Sequence, residues 1–355
     1  MSKKFKIAID AFGGDHAPKS VVKGLNLYCK TYEPKDISFI LFGDRKILDP
    51  MIRRYRHAKE YCTVYHTTDV VPGDVKPSQI IKKSMNTSLW QAIKFVRNGK
   101  ADAILSAGNT GCVMAFAKLQ LRTMEELKRP AITGMIPTTT PGKNIVMLDL
   151  GANTECSARS LEEFTIIGSL YYKVMNATRT APTTGILNIG SEDTKGLATL
   201  QEANEVLRNS KTKLFKHKGF VEPDKILLNT VDVVVTDGFT GNIALKSIEG
   251  TAKLISHFIK EMFTESFFNK IMYLMLRRSM HRMKKKIDPN NYNGAVMAGL
   301  NGIVVKAHGG SNYRAFDNAI QYTVKLTKSN FNEKLKKALK EELGSAEDQE
   351  ESAAK

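Results

Sequence analysis

Short runs of apolar, β-branched residues alternate with helical patterns along most of this 355-residue chain, which restricts it to an α/β fold. The runs Val146-Met147-Leu148 and Val233-Val234-Val235 are apolar at every position, as is typical of strands buried on both faces of a parallel sheet. We therefore expect a parallel sheet between layers of helices, with ligands at the carboxyl ends of the strands. The expected strands are Phe5–Asp10, Ser38–Gly43, Thr63–Thr67, Asp102–Ala107, Ala131–Pro137, Ile145–Asp149, Gly185–Ile189 and Val231–Thr236. The expected helices include Thr87–Asn98 and Leu161–Ala177.

The chain has no internal repeat and no low-complexity linker that would divide it. We expect one α/β domain over residues 1–343, with a helical extension at about 243–290. Residues 344–355 are polar and largely acidic, so they are predicted to form a disordered tail. Such a tail is either a solvated end without further role or a flap that lies against the basic body of the protein.

The formal net charge is +17, from 53 lysine and arginine residues against 36 aspartate and glutamate residues. Such a surface calls for a polyanionic partner, which is a nucleic acid, an anionic lipid or an acidic protein. No stretch interleaves aromatic and basic residues on a strand platform, so we expect no nucleic acid.

The cysteines predict a reducing environment. Cys29, Cys62, Cys112 and Cys156 are scattered, with neither a C-x-x-C pair nor a zinc-type spacing, so we expect free thiols and no metal. The first apolar run is too short for a signal-peptide core, and no apolar stretch approaches the length of a membrane span. These features predict a cytoplasmic protein that can still touch a membrane.

Loops rich in glycine, asparagine and threonine follow several expected strands. They are Asp10–Pro18, Ser106–Gly111, Gly151–Thr154, Gly190–Gly196 and Asp237–Asn242. Each leads into a helix, whose first turn offers unpaired N–H groups and a positive dipole end. If the strands are parallel neighbours, the loops meet in one crevice suited to phosphate, although each loop alone is equally a turn with an N-cap. No Walker A or G-x-G-x-x-G pattern follows a strand, which disfavours nucleotide-binding functions.

Four single residues have both a chemical and a structural interpretation. Lys195 can neutralise phosphate or a developing oxyanion, or it is a solvated lysine at the start of a helix. His16 and His308 lie in glycine-rich loops, where each is a proton donor or a structural histidine. Cys112 follows a helix start, where a thiol can become acidic, but no histidine is near it in sequence and small core filler explains it better.

Five motifs, in order between about residue 5 and about residue 335, together resemble the bacterial phosphate acyltransferase family, acyl-[acyl-carrier-protein]:phosphate acyltransferases of phospholipid synthesis. The motifs are D-A-F-G-G-D-H-A-P from Asp10, S-A-G-N-T-G from Ser106, D-L-G-A-N from Asp149, T-D-G-F-T-G-N from Thr236 and G-L-N-G-I-V-V-K-A-H-G from Gly299. The departures from the family pattern are Phe12, Cys112 and Ala307, where methionine, alanine and serine are usual.

The resemblance implies a homodimer with a Rossmann-like sandwich related to isocitrate/isopropylmalate dehydrogenases and phosphotransacetylases. It implies transfer of a fatty acyl group from the acyl carrier protein thioester to inorganic phosphate, and the acyl phosphate then feeds a membrane glycerol-3-phosphate acyltransferase. Phosphate is already a nucleophile, so the reaction needs no metal, cofactor or covalent enzyme intermediate. The alternatives are an isocitrate/isopropylmalate-type NAD-dependent dehydrogenase and a non-catalytic scaffold between carrier protein and membrane.

The expected catalytic residues are Lys195, Asp237, Asn242 and His16. Lys195, Asn109 and Asn242 are expected to position phosphate and thioester, while Asp237 orients Lys195 or an amide. His16 is expected to assist the thiolate leaving group. The expected substrate-binding residues share the same loops: Asp10, Gly13, Gly14, Asn109, Thr110, Gly111, Asn153, Thr240, Gly241 and His308.

The helical extension carries two apolar patterns. An apolar stripe at residues 254–263 is typical of core or dimer-interface packing. A wide apolar arc at residues 267–276 then runs into a cluster of arginines and lysines, as in a helix that lies on anionic lipid. The expected membrane contacts are Phe267, Phe268, Ile271, Met275, Arg277 and Arg278. A dimer-interface helix with a solvated end is the alternative, and the same basic surface suits acidic acyl carrier protein.

Overall fold

A single mixed sheet forms the centre of the computed structural model, which describes residues 4–287 and 294–353. Within these residues the sheet has 11 strands. The strands are β1 (Phe5–Asp10), β2 (Ile37–Gly43), β3 (Cys62–His66), β4 (Ala103–Ser106), β5 (Ala131–Pro137), β6 (Asn144–Leu148), β7 (Thr183–Leu187), β8 (Lys216–Val221), β9 (Val233–Val235), β10 (Ala295–Ala298) and β11 (Ile303–Lys306).

The two halves of this sheet run in opposite directions. The strand order is β3-β2-β1-β4-β11-β10-β5-β6-β9-β7-β8. The first five strands in that order are parallel to one another, and so are the last four. Between them, β10 is antiparallel to both β11 and β5, and β5 is antiparallel to β6. The expectation of an all-parallel sheet is therefore wrong at the centre, where three antiparallel pairings reverse the strand direction.

Helices cover both faces of the sheet. They are α1 (Lys19–Tyr32), α2 (Arg45–Arg53), α3 (Arg56–Tyr61), α4 (Pro77–Ile80), α5 (Ser88–Arg97), α6 (Thr110–Leu121), α7 (Ala158–Met175), α8 (Ala198–Asn209), α9 (Gly238–Thr264), α10 (Phe267–Ile287), α11 (Tyr313–Lys328) and α12 (Phe331–Ala353). Short 3₁₀ turns follow α4 and β8.

Alternate residues of the central strands enter two separate cores. Val146 and Leu148 point into the larger core, with Phe164 of α7 and Phe316 of α11, while Met147 points into the core on the other face. All five side chains are fully buried. The prediction that residues 146–148 are apolar because both faces are covered is therefore confirmed.

The expected strands correspond to β1–β7 and β9, with boundaries that differ by up to two residues, and α5 and α7 lie where the two named helices were expected. Strands β8, β10 and β11 were not among the expected strands. The described backbone of α12 is helical to Ala353, where the composition predicts a disordered tail (344–355), because alanine, glutamate and glutamine are good helix formers. The division of the chain into one domain and a tail stays a prediction.

The expected helical extension (about 243–290) is helical in α9 and α10 as far as residue 287, and residues 288–290 lie outside the described part of the chain. We call residues 254–287 the hairpin. The stripe residues Leu254, Ile255, Phe258 and Met262 are about half exposed, so they do not contribute to a core within one chain. Tyr273 of α10 packs edge-on against Phe263 of α9, with ring centroids 5.4 Å apart. In the described part of the chain, we find no helix with the combination of length and apolarity that crossing a bilayer requires.

Candidate functional site

The reversal of strand direction divides the expected site loops into two clusters at opposite edges of the sheet. The first cluster contains the loops after β1 (residues 10–16), β4 (106–109) and β11 (307–311). The second cluster contains the loops after β6 (149–153), β7 (188–196) and β9 (236–242). The prediction that all of them meet at one edge is wrong, because it assumed parallel neighbours throughout.

Asp10 is the buried centre of the first cluster. Its two carboxylate oxygens accept hydrogen bonds from Ser88 Oγ at 2.6 Å and Ser106 Oγ at 2.7 Å. Burial raises the pKa of Asp10, and these hydroxyl donors oppose the rise. A Cβ on Gly13 would lie 2.5 Å from Asp10 Oδ2, so a glycine is needed for this close approach. The adjacent Gly14 has a φ of +104°, which a residue with a side chain rarely adopts.

Lys306, which the sequence analysis did not single out, ends β11 with its ammonium buried in the first cluster. Its Nζ donates to the carbonyl oxygens of Ala107, at 3.4 Å, and Ala307. Burial lowers the pKa of Lys306 to about 8, while Asp10 and Asp15 act to raise it. A charged residue at the end of an otherwise apolar strand was the available signal, because lysine is almost never buried without a partner.

Helix α9 connects the two clusters, since it begins in the second and extends to His308 in the first. Burial lowers the pKa of His308, and Glu249, Lys246 and Lys253 of α9 also affect it. The Nδ1 atom of His308 accepts a hydrogen bond from Gly310 N at 3.2 Å. His16 is exposed in the loop between β1 and α1.

The side chain of Asn109 is engaged by the backbone of its own chain. Its Oδ1 accepts from Cys112 N at 3.0 Å, which caps α6, and its Nδ2 donates to Gly73 O at 2.7 Å. The N-cap interpretation is therefore confirmed, while a role for Asn109 in binding substrate stays a prediction. Thr110 and Gly111 are exposed in the first turn of α6, where their N–H groups belong to the helix start.

Asp149 and Asn153 organise the loop after β6 in the second cluster. Asp149 is fully buried and accepts from the backbone N–H groups of Ile132 (3.0 Å) and Asn153 (2.8 Å). The Asn153 amide donates to Asp149 at 2.9 Å and to Pro130 O at 2.8 Å. Burial raises the pKa of Asp149, with the surrounding N–H donors acting against the rise. Asn153 thus holds the loop together, and a contact of its side chain with substrate stays a prediction.

The first turn of α9 packs directly on that loop. Asp237 caps the helix by accepting a hydrogen bond from Thr240 N at 2.8 Å. A Cβ on Gly241 would lie 1.9 Å from Asp149 O, so this contact requires a glycine. Thr240 and Asn242 are exposed, and Asn242 lies beside Gly151. The exposed face of a helix start, with its positive dipole end, is an anion-binding surface.

Lys195 lies at the same sheet edge, because β7 and β9 are parallel neighbours. Its backbone is fixed, since Asn188 Nδ2 donates to Lys195 O at 3.0 Å and Lys195 N donates to Glu192 O at 3.0 Å. The side chain itself is exposed. The second cluster therefore combines a cation with a helix N-terminus, as binding and stabilising an anion requires.

The thiols near the two clusters are not activated. Burial, together with the charges of Asp149 and Asp237, raises the pKa of Cys156 to about 12. Burial also raises the pKa of Cys112, whose side chain is fully buried as the core-filler interpretation predicts. All four cysteines are free, which confirms that expectation. Among residues 4–287 and 294–353, no three His, Cys, Asp or Glu side chains are grouped so as to hold a metal ion.

Comparison with known proteins gives matches over nearly the whole chain. The family model described as "Fatty acid synthesis protein" matches residues 5–334. A phosphate acyltransferase of Rhodospirillum rubrum is 44% identical over 337 residues, which are 95% of each chain. One of Maricaulis maris is 38% identical over 349 residues, which are 98% of each chain.

Solved structures with little sequence similarity share the fold. A phosphotransacetylase of Streptococcus pyogenes superimposes with a TM-score of 0.60 at 13% identity, over 94% of this chain and 95% of that one. A branched-chain phosphotransacylase of Enterococcus faecalis gives a TM-score of 0.57 at 12% identity, over 91% of this chain and 99% of that one. At such identities the likeness is one of architecture, a large mixed α/β sheet.

Proposed function

We propose a reaction for this chain from the premise that it belongs to the fatty acid synthesis protein family and is an acyltransferase. In this proposal it transfers a fatty acyl group from the thioester of acyl carrier protein to inorganic phosphate, giving acyl phosphate and a free thiol. The single observation that supports it best is the second cluster, where Lys195 and the exposed first turn of α9 share one sheet edge.

The proposed step is a direct attack. A phosphate oxygen forms a bond to the thioester carbonyl carbon, and a tetrahedral oxyanion develops. The carbon–sulfur bond then breaks, and the thiolate leaves with the electron pair. Lys195 balances the charge of phosphate and oxyanion, and Asn242, exposed in the first turn of α9, adds an amide donor. The N–H groups of Gly238, Thr240 and Gly241 in that turn donate within the protein, so the turn acts on the anion through its positive dipole end. Asp237 holds that turn in place through its bond to Thr240 N.

A covalent enzyme intermediate is not part of the proposal. Cys156 and Cys112 remain protonated near neutral pH because their pKa values are raised, so neither offers a thiolate nucleophile. Inorganic phosphate, which is partly the dianion at neutral pH, supplies the nucleophile.

The first cluster is proposed to bind the remainder of the substrate. Gly13 and Gly14 let the loop after β1 pack closely against Asp10 and the loops after β4 and β11, and Lys306 supplies a buried positive charge beside Asp10. Helix α9 brings Lys246 and Lys253 near His308, so this cluster is also suited to an anionic or polar substrate portion. His16, exposed in the loop after β1, lies at the opposite edge of the sheet from Lys195, so we assign it no part in the step at the thioester carbonyl, and its expected assistance to the thiolate stays a prediction.

The reaction is tested with purified protein, an acyl carrier protein thioester and phosphate, by measuring acyl phosphate and free thiol together. We expect both products in equal amounts, and a loss of ~100-fold in kcat/KM for Lys195→Ala, the usual effect of removing an oxyanion-stabilising group. Lys211→Ala, another exposed lysine, is the matched control and is expected to keep full activity. Thiol release without acyl phosphate would show hydrolysis and contradict the proposed acceptor.

The hairpin is proposed to rest on an anionic membrane surface, where acyl phosphate would pass to a membrane glycerol-3-phosphate acyltransferase. The exposed fraction is 75% for Phe267, 78% for Phe268 and 77% for Met275, and it is 41% for Ile271. A groove between α9 and α10 is lined by both apolar side chains and cations, among them Phe263, Leu274, Lys260, Arg277 and Arg278. Apolar side chains beside clustered cations suit lipid headgroups and acyl chains.

Vesicle co-sedimentation tests this membrane contact. The double variant Phe267→Glu, Phe268→Glu is expected to lose binding to vesicles that contain anionic phospholipid. Leu119→Glu, which changes an exposed apolar residue of α6 in the same way, is expected to bind like the unaltered chain. Equal binding by all three proteins would contradict the proposed contact.

The other proposed partners are a second copy of the chain and acidic acyl carrier protein. The exposed stripe of Leu254, Ile255, Phe258 and Met262 would be buried in a homodimer, and the basic hairpin attracts an acidic carrier protein. Sedimentation equilibrium is expected to give twice the chain mass, and Phe258→Glu is expected to shift the equilibrium toward one chain.

A further inference from the structure

We propose that Asp193 is a positioning residue that sets the place of Lys195 through a hydrogen-bonded network reaching from β8. The inference rests on the proposed role of Lys195 in acyl transfer, and it adds Asn204, Arg208 and His217, which lie outside the substrate-binding loops. Its parts are Asp193 in the loop after β7, Asn204 and Arg208 on α8, and His217 on β8.

Asp193 joins the loop to α8 through two bonds. Its Oδ2 accepts from Arg208 Nη1 at 2.5 Å, and its Oδ1 accepts from Asn204 Nδ2 at 3.3 Å. The Arg208 guanidinium holds the pKa of Asp193 below its ordinary value, so the carboxylate stays charged. A planar guanidinium and an amide on one helix thus fix both oxygens of one carboxylate.

The orientation of the buried Asn204 amide follows from what each neighbour can donate. A carboxylate only accepts, so the Asn204 nitrogen faces Asp193 and its Oδ1 faces His217 Nε2, at 2.9 Å. His217 Nε2 therefore donates, and its Nδ1 accepts from Thr184 Oγ1 at 3.2 Å. Burial lowers the pKa of His217 to about 4, which leaves the ring neutral and able to take both roles.

The strand leaves room for this network. Gly219 on β8 has a φ of +91°, and a Cβ there would lie 3.1 Å from the Arg208 guanidinium. A side chain at that position would meet both backbone strain and the arginine. Gly219 therefore makes room for the cation that holds Asp193.

The loop is also tied down next to Lys195 itself. Gln201 of α8 donates from Nε2 to Thr194 O at 3.1 Å and to Gly196 O at 3.3 Å. With the bond from Asn188 to Lys195 O, three consecutive carbonyl groups are held while the lysine side chain remains exposed. A reactive group on such a fixed loop starts near its working position, and a displacement of about 1 Å can cost 10²-fold in rate.

A double-mutant cycle separates positioning from general stability. Asp193→Ala is expected to lower kcat/KM about 10-fold when Lys195 is present and less than about 2-fold in the Lys195→Ala background, because there is no ammonium left to position. Glu205→Ala removes an exposed carboxylate from α8, the helix that holds Asp193, and is expected to change neither value. An equal loss in both backgrounds, or no loss in either, would overturn the proposal.

Hydrogen exchange gives a readout that does not depend on the reaction. The amides of residues 190–196 are expected to exchange about tenfold faster in Asp193→Ala than in Glu205→Ala, since the anchoring bonds of the loop are lost. Unchanged exchange would overturn the positioning role even if acyl transfer is confirmed. Failure of the unaltered protein to form acyl phosphate would instead contradict the proposed function, while this comparison would still decide whether Asp193 fixes the loop.

Discussion

Among the glycines of the expected site, a Cβ would make its closest contact at Gly241. A Cβ there would be 1.9 Å from Asp149 O, whereas a Cβ on Gly250, later in the same helix, would meet no atom within 4 Å. Alanine substitutions at the two positions therefore separate the destabilisation caused by a steric clash from the stabilisation that alanine gives to a helix.

We expect Gly241→Ala to lower the free energy of unfolding by about 3 kcal/mol, the upper part of the usual range for overpacking, because the first turn of α9 must move off the loop after β6. Gly250→Ala is expected to raise it by about 0.5–1 kcal/mol through helix propensity alone. Urea unfolding of both variants measures the difference. A Gly241→Ala protein as stable as Gly250→Ala would contradict the close packing.

A buried carboxylate on α11 predicts how stability depends on pH. Asp317 Oδ2 accepts from Gln321 at 2.9 Å, while its Oδ1 has no hydrogen-bond partner within the part of the chain that the structure describes. Burial raises the pKa of Asp317 to about 6 from its ordinary value of 3.8, so the folded protein holds this proton more tightly than the unfolded chain. The contribution of Asp317 to stability therefore falls as the pH rises from about 4 to about 6.

Asp317→Asn is expected to raise the free energy of unfolding by about 1–2 kcal/mol at pH 7 and to change it little at pH 4. Unfolding curves at the two pH values test this, with the exposed Asp74→Asn as the control that should show no such difference. A gain of equal size at both pH values would contradict the assigned pKa.

At the scale of single elements, the sequence predicts where most strands lie but not which way they run. Residues 146–148 are apolar on both faces because helices cover both sides of the sheet, and that pattern is the same in parallel and antiparallel neighbours. The order β11-β10-β5-β6 depends on contacts between distant segments, so the hydrophobic periodicity of the sequence does not predict it. The division of the site loops into two clusters was unpredictable for the same reason.

Of the three missed strands, β8 and β10 lack the local signal, whereas β11 reads Ile-Val-Val-Lys and carries it. β8 begins Lys-His-Lys with a glycine in its middle, and β10 reads Ala-Val-Met-Ala with one β-branched residue. The loops were predicted better than these strands, since glycine, asparagine and threonine are typical of helix starts. Asp237 and Asn109 do cap α9 and α6. Lys306 and Cys156 were overlooked as cluster residues because only the fold brings them to their neighbours.

Asp237 allows its capping role to be separated from its proposed catalytic role. Asparagine caps a helix as well as aspartate does, so Asp237→Asn is expected to keep the melting temperature and still lower kcat about 10-fold if the charge orients Lys195. Asp237→Ala is expected to cost a further ~1 kcal/mol of stability. Thermal unfolding and acyl transfer, measured on both variants, test this. Full activity of Asp237→Asn would show that Asp237 caps α9 and has no catalytic role.

At the scale of the whole molecule, the charge of +17 and the exposed hairpin predict how membrane binding responds to salt. The screening length falls from about 10 Å at 0.1 M to about 3 Å at 1 M, so the electrostatic part of binding is lost while the apolar part is kept. We expect binding to anionic vesicles to weaken about 10-fold or more between these concentrations, with weak binding to neutral vesicles unchanged. Binding that is insensitive to salt would contradict an electrostatic contribution from the basic residues.

Helix α9 has 27 residues without a break, and its two ends serve the second cluster and the hairpin. Each residue added to a helix turns everything beyond it by about 100° and moves it by about 1.5 Å. A single insertion in the middle of α9 would therefore swing the hairpin to another side of the molecule while Asp237 stays in place. Seven inserted residues, close to two turns, would bring it back to within about 20° of its original direction, about 10 Å further along the helix axis.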